Sequence, residues 1–318
     1  MKIVFFGTPD FAVAALDKLV QEKCNIVGVV TSPDKPSGRG LQVQMSAVKQ
    51  YCLTHGLNVL QPVNLKDEQF VTDLKALGAD LQIVVAFRML PELIWNMPPM
   101  GTYNLHASLL PKYRGAAPIN WSIINGDHET GVTTFKLQHQ IDTGKILLRD
   151  KVTIHGGMTA GDLHDVLMVR GAELLWQSVK IIEQACIHHA ALPFMDQDEN
   201  EVSHAPKIFK NECKIKWDKP AGEIHNLIRG LSPVPGAYAL LNNGDKAPKQ
   251  VKIYVTEVLG GKSEATNGSL ITDNKNYIHV SCAGEWLAIK EWQVEGKKRM
   301  VVADFLKGYK LAASAKLE

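Results

Sequence analysis

Signals that would settle a protein's class early are missing from this chain. Its five cysteines, Cys24, Cys52, Cys186, Cys213 and Cys282, are odd in number and never form a C-x-x-C pair, which argues against a disulfide framework and a zinc site. They read as ordinary thiols of a reducing compartment. No apolar run approaches the roughly 20 residues a membrane helix needs. The opening Met1-Lys2-Ile3-Val4-Phe5-Phe6-Gly7 is too short for the core of a signal peptide, and no small-residue cleavage site follows. No Arg/Ser-rich transit segment is present either, so a cytoplasmic location is expected. The first β-to-α turn, Gly7-Thr8-Pro9-Asp10-Phe11, lacks G-x-G-x-x-G, which excludes a dinucleotide site there.

Charge is nearly balanced overall but not along the chain. The net value is +2, yet residues 1–206 hold 17 Lys and Arg against 21 Asp and Glu, and residues 207–318 hold 18 against 12. A mildly acidic first part joined to a basic second part points to a polyanion as partner of the second, with a solvated lysine-rich face as the plain alternative. A length of 318 residues implies two domains, and 45% apolar with 21% charged residues is ordinary for a globular enzyme.

The pattern of the first part alternates. Ile3–Phe6, Asn25–Thr31, Asn58–Val63 and Leu81–Phe87 read as strands, with helical spacing over Phe11–Val20 and Glu68–Leu77. Gly131–Leu137 and Lys145–Ile154 follow as strands, and Ala160–Ala190 as a helix. This order predicts an α/β fold with a doubly wound, mostly parallel sheet. Beyond an acidic, linker-like stretch over 191–206 the texture changes. One helix lies within Trp217–Leu231, then short strands at Ala237–Leu241, Val251–Leu259, Gly268–Thr272, Tyr277–Ser281 and Trp286–Glu291 predict a small OB-like β-barrel. Lys207, Lys210, Lys214 and Lys216, with Lys297-Lys298-Arg299, give it a basic rim.

The chemistry concentrates in one run, Tyr103-Asn104-Leu105-His106-Ala107-Ser108-Leu109-Leu110-Pro111-Lys112-Tyr113-Arg114-Gly115. It reads as a strand end broken at Pro111, so Asn104 and His106 share one face. An amide donor beside an imidazole at such an end is a candidate catalytic pair. Asp142 follows 36 residues after His106, in Ile141-Asp142-Thr143-Gly144. That tripeptide also matches aspartic proteases, but those need two such aspartates sharing a proton, and no second Asp-Thr-Gly exists. Arg114 is a candidate to position an anion on a substrate, with a surface arginine an equal alternative. His188-His189 lacks a further ligand at metal spacing and reads as the end of a helix.

The whole run resembles the signature of the folate-dependent formyltransferases, Asn-x-His-x-Ser-Leu-Leu-Pro-x-x-Arg-Gly followed by an Asp-x-Gly loop. Gly7-Thr8-Pro9-Asp10-Phe11, Arg114-Gly115-Ala116-Ala117-Pro118-Ile119, the hinge-like Ala205-Pro206-Lys207-Ile208 and the closing Gly296-Lys297-Lys298-Arg299-Met300 through Asp304-Phe305-Leu306 extend the likeness, within that family, to the methionyl-tRNA formyltransferases. The resemblance implies a formyltransferase domain over 1–190, a linker over 191–206, a basic tRNA-contacting barrel over 207–311 and a tail over 312–318. It implies catalysis by Asn104, His106 and Asp142. Folate binding would fall to Ser108, Leu109, Leu110 and Pro111, with Phe87, Arg88 and Leu90 lining the pterin slot.

The co-substrate would be N10-formyltetrahydrofolate with no metal, and the acceptor a methionyl initiator tRNA. A monomer with no membrane attachment is expected. Thr31–Gly40 is a Pro/Gly/Ser-rich loop, similar to the inserted loop that holds the acceptor end of tRNA, with Arg39 at the matching arginine beside Lys207 and Lys210 as tRNA contacts. The lysines that usually follow that loop are Leu41-Gln42-Val43-Gln44 here, which means fewer phosphate contacts. An amino-sugar nucleotide as acceptor, or a non-catalytic RNA-binding relative, are the competing readings. The intact Asn104, His106 and Asp142 argue against the second.

Overall fold

The computed structural model describes residues 1–37, 42–244 and 247–318. They divide into two compact units. The first comprises residues 1–115, 130–152 and 164–205, and the second residues 116–129, 153–163 and 206–318.

The first unit starts with β1 (Lys2–Gly7), whose Ile3, Val4, Phe5 and Phe6 are all buried. An unbroken apolar strand of this kind is covered on both faces. Burying each of its phenylalanines contributes about 1.5–3 kcal/mol. Next come α1 (Asp10–Gln21), β2 (Asn25–Val30) and a hairpin of β3 (Lys35–Ser37) with β4 (Gln42–Gln44). The segment expected as a plain loop therefore has a paired stem on either side. Residues 38–41, Arg39 among them, lie outside the described residues. The helix α2 (Ala47–His55) is capped by Ser46, whose hydroxyl accepts from the Lys49 N–H at 3.0 Å.

The chain continues through β5 (Val59–Leu60), α3 (Glu68–Ala76), β6 (Leu81–Val85), α4 (Glu92–Trp95), β7 (Thr102–His106), β8 (Arg114–Gly115), α5 (Pro118–Ile124), β9 (Glu129–Lys136), β10 (Ile146–Thr153), α6 (Ala160–Ile187) and β11 (His204–Ala205). Phe70 and Leu74, one turn apart on α3, bury themselves against Val4, Phe6, Val30, Val84 and Ile94.

The sheet order is β10-β9-β7-β6-β1-β2-β5, parallel from β7 to β5, with β9 antiparallel to β7. The doubly wound, mostly parallel sheet of the sequence reading is what forms. From β1 the chain adds β2 on one side and later β6 on the other. In such sheets the change of direction leaves a crevice at the carboxyl ends of the strands, here β1 and β6, with the end of β7 next along.

In the second unit α7 (Ala221–Leu231) buries Ala221, Ile224, Ile228 and Leu231, one stripe of the helix, into the barrel core. On α5 the Asn120 Nδ2 donates to Gly230 O and the Trp121 Nε1 to Pro206 O, each at 2.8 Å. The barrel strands are β12 (Ala237–Asn242), β13 (Lys249–Lys262), β14 (Leu270–Thr272), β15 (Ile278–Cys282), β16 (Glu285–Val294), β17 (Met300–Val301) and, after α8 (Val302–Gly308), β18 (Lys316–Leu317).

Their order is β14-β15-β16-β13-β12-β18, with β17 beside β16. A bridge from Ser269 to Lys316 and a bond from Leu317 N–H to Gly268 O at 2.8 Å nearly close the ring. Gly268 has φ +83, and a Cβ there would stand 2.1 Å from Leu317 O, so only glycine admits this approach. Residues 312–318, expected as a tail, thus supply the closing strand, with Ala315 and Leu317 buried.

Candidate active site

The site is built at the end of β7. Its register pairs Asn104 with Val84 of β6 and Phe135 of β9, and His106 with Thr133. Tyr103 and Leu105, on the opposite face, are buried. The Tyr103 hydroxyl has no hydrogen-bond partner among the described residues, and burial pushes it up to about 12. Asn104 is half-buried, and among the described residues nothing bonds its carboxamide.

His106 is 6% exposed, and its Nε2 lies 2.8 Å from Tyr113 O. A carbonyl only accepts, so Nε2 carries the proton and the neutral ring keeps its lone pair on Nδ1. That nitrogen lies 3.9 Å from Asp142 Oδ2. The same carboxylate oxygen accepts from Gly115 N–H at 2.9 Å. Both Tyr113 (φ 61) and Asp142 (φ 55) occupy the left-handed region, and such outliers gather at functional sites. Two residues on, a Cβ at Gly144 would meet Lys136 O at 1.7 Å, so the turn after Asp142 needs a glycine.

The loop leaving β7 is tightly held from inside. The Ser108 hydroxyl, fully buried, donates to Lys112 O at 2.6 Å. The Thr133 hydroxyl donates to Ser108 O at 2.6 Å and accepts from Leu110 N–H at 3.2 Å. Arg149 Nη1 donates to Leu110 O at 3.1 Å. Leu110 packs with Phe135 and Ile146 in the core and Pro111 is buried, whereas Leu109 is half-buried.

After β6, Phe87 is half-buried and meets Phe6 edge-on at 5.7 Å, and Leu90 is in the core. The exposed Arg88 donates to the carbonyls of Pro62 and Val63. Lys207 and Lys210 are exposed in the second unit, with the Lys207 ammonium 5.5 Å from the Phe209 ring centre. The structure thus brings Asn104 and His106 onto one strand end and Asp142 against His106. Ser108 to Pro111 follow directly in the chain.

Arg114 does not face outward for a substrate anion. It is 8% exposed, with Nη2 and Nη1 on the Glu199 carboxylate at 2.8 and 3.2 Å and Nε and Nη2 on Gln197 Oε1 at 3.1 and 2.8 Å. The Arg114 guanidinium holds the Glu199 carboxyl below its ordinary range. Residues 191–205, most of the stretch expected as an acidic linker, are therefore tied into the first unit. β11 pairs with β8, Arg114 N–H donates to Ser203 O at 2.9 Å, and Tyr113 N–H donates to Ser203 Oγ at 2.9 Å.

Sequence reasoning missed Gln197, Glu199 and the Tyr113 and Gly115 backbone groups. An arginine in the signature and an acidic run at 196–201 were the only signal, as opposite charges seeking each other. Backbone groups leave no mark in a sequence.

The Formyl transferase family model matches residues 1–179, and the Formyl transferase, C-terminal domain model matches residues 207–310. The methionyl-tRNA formyltransferase of Parabacteroides distasonis is 50% identical over 314 residues, covering 98% of this chain and 97% of that protein. That of Bacteroides thetaiotaomicron is 47% identical over 320 residues, covering 100% and 98%. Among solved structures, WlaRD, a sugar 3N-formyl transferase in the presence of dTDP and 5-N-formyl-THF, aligns with a TM-score of 0.63 at 20% identity over 94% of this chain and 99% of that one. HypX from Aquifex aeolicus in complex with tetrahydrofolic acid aligns with a TM-score of 0.63 at 15% identity, over 98% of this chain and 48% of that one. These two likenesses are of fold.

Proposed function

We propose that this chain, which belongs to the formyl transferase family among the methionyl-tRNA formyltransferases, moves the formyl group of N10-formyltetrahydrofolate onto the α-amine of methionyl initiator tRNA for translation initiation. An aminoacyl α-amine titrates near ~8, so much of it is already neutral at physiological pH and no covalent nucleophile is needed. The amine nitrogen bonds to the formyl carbon, giving a tetrahedral centre with charge on the formyl oxygen. Collapse breaks the bond to N10, and the proton lost by the amine ends on that nitrogen.

The observation that carries this chemistry is the His106 ring. With Nε2 committed to Tyr113 O, Nδ1 is its one basic nitrogen, and the Asp142 carboxylate stands beside it. His106 then takes the amine's proton at Nδ1, and Asp142 stabilises the imidazolium before the proton passes to the leaving nitrogen. Asn104, whose carboxamide is engaged by no described residue, donates to the formyl oxygen as charge develops.

The fit to a folate donor rests on the Asn104 donor at a strand end and on the half-buried Phe87 and Leu109 at neighbouring strand ends. Ser108, Leu110 and Pro111 shape that loop from within, so their part in binding would come through the backbone. Phe87, Arg88 and Leu90 belong to the pterin side of the same reading. The formyl donor supplies the one-carbon unit and the leaving nitrogen. Arg39, Lys207 and Lys210 supply tRNA contacts.

The deciding assay is formyl transfer from N10-formyltetrahydrofolate to charged initiator tRNA, beside uncharged tRNA and an amino-sugar nucleotide. Product with the charged tRNA alone is expected. Product with the sugar nucleotide alone would keep the reaction and overturn the acceptor.

A further inference from the structure

The acidic run 196–201 looks like connector in the sequence, yet one of its side chains grips the loop that carries Asp142. Gln197 Nε2 donates to Asp142 O at 2.9 Å and to Gly144 O at 2.8 Å, while its Oε1 accepts two bonds from Arg114. Both protons and both lone pairs of one amide are thereby used. Its orientation is not arbitrary. A guanidinium only donates and a carbonyl only accepts, so Oε1 must face Arg114 and Nε2 the loop. Glu199 pins the other edge of the guanidinium. The residue after Arg114, Gly115, holds the Asp142 carboxylate through its N–H. Gln197 therefore ties the backbone of the Asp142 turn to the strand that orients its side chain, at a residue held in the left-handed region.

We propose that Gln197 is a positioning residue for formyl transfer, holding Asp142–Gly144 so that the Asp142 carboxylate faces His106. The proposal rests on the role given to Asp142 above. Gln197 touches no reacting atom, and a shift of about 1 Å at a catalytic group costs on the order of 10²-fold in rate. Binding of either substrate does not depend on it.

The test uses steady-state formyl transfer by the full chain to methionyl initiator tRNA. Gln197→Met keeps length and loses the amide. Its kcat is expected to fall about 10²-fold, with both KM values within about threefold of wild type. Gln197→Glu keeps oxygens for Arg114 but offers no N–H to the two carbonyls, so its kcat falls at least as far although the Arg114 contact survives. A Gln197→Glu enzyme at wild-type rate overturns the proposal, as does a Gln197→Met loss carried in KM.

Combining Gln197→Met with Asp142→Asn supplies the last arm. If Gln197 acts through Asp142, the double variant's residual rate stays within about twofold of Asp142→Asn alone. Two losses that multiply overturn the Gln197 proposal and leave Asp142 in place. A fully active Asp142→Asn instead overturns the role of Asp142 itself.

Discussion

Asn104 and His106 share a face of β7 but are bound into the protein differently, and their variants should separate accordingly. The His106 Nε2–H satisfies Tyr113 O in a buried setting. Removing the ring takes away this buried hydrogen bond, which costs about 0.5–1.5 kcal/mol of stability. His106→Ala is therefore expected to lose turnover and also to unfold at lower denaturant concentration. The Asn104 carboxamide has no described partner to orphan, so Asn104→Ala should lower kcat by about 10²–10³ with the denaturation midpoint nearly unchanged. Denaturant titration beside kinetics checks both, and a stable but inactive His106→Ala would contradict the bond to Tyr113. Asn104 and His106 stood in the sequence as residue types at a strand end, and Asp142 as the aspartate of a later Asp-x-Gly loop. The tautomer did not, because it is set by a backbone carbonyl seven residues on that no side-chain pattern marks.

At the scale of elements, legibility followed periodicity. The apolar run of β1 and the helical spacing of α3 are long enough to report their faces, and they formed where the pattern puts them. The two-residue strands β8 and β11 carry no period at all, and their pairing joins residues about ninety apart, so nothing local announces it. Turn chemistry gives a prediction here. Asp273, between β14 and β15, accepts the N–H of Asn276 at 2.7 Å, of Lys275 at 2.9 Å and of Tyr277 at 3.3 Å on one oxygen. The Asn276 bond foremost, then those of Lys275 and Tyr277, hold its carboxyl down from 3.8 to about 2. A carboxyl lowered in the folded state adds stability above its unfolded value and loses it as pH falls through the folded one. Asp273→Asn should thus flatten the fall of the melting temperature between pH 4 and pH 2. Parallel melting curves for the variant and wild type across that window would remove the turn's electrostatic role.

For the whole molecule, the sequence foretold two parts of opposite charge, and two compact units are what the chain forms. The units do not follow a single boundary along the chain, since 116–129 and 153–163 cluster with the second. Both segments fall inside the stretch expected as one domain over 1–190, and only three-dimensional contact groups them with the second unit. The excess of six positive charges over 207–318 has a consequence that local structure does not carry. If the basic unit meets tRNA phosphates, each contact displaces a counterion, and the logarithm of affinity falls linearly with the logarithm of salt. KM for methionyl initiator tRNA should then climb steeply with salt, while KM for the small folate donor stays nearly flat. Lys207→Ala and Lys210→Ala should each weaken tRNA binding and lower that slope by about 1 unit. Arg39→Ala should act likewise, weakening tRNA use more than folate binding. A slope unchanged by all three would leave the positive charge as a solvated face and move tRNA recognition elsewhere on the chain.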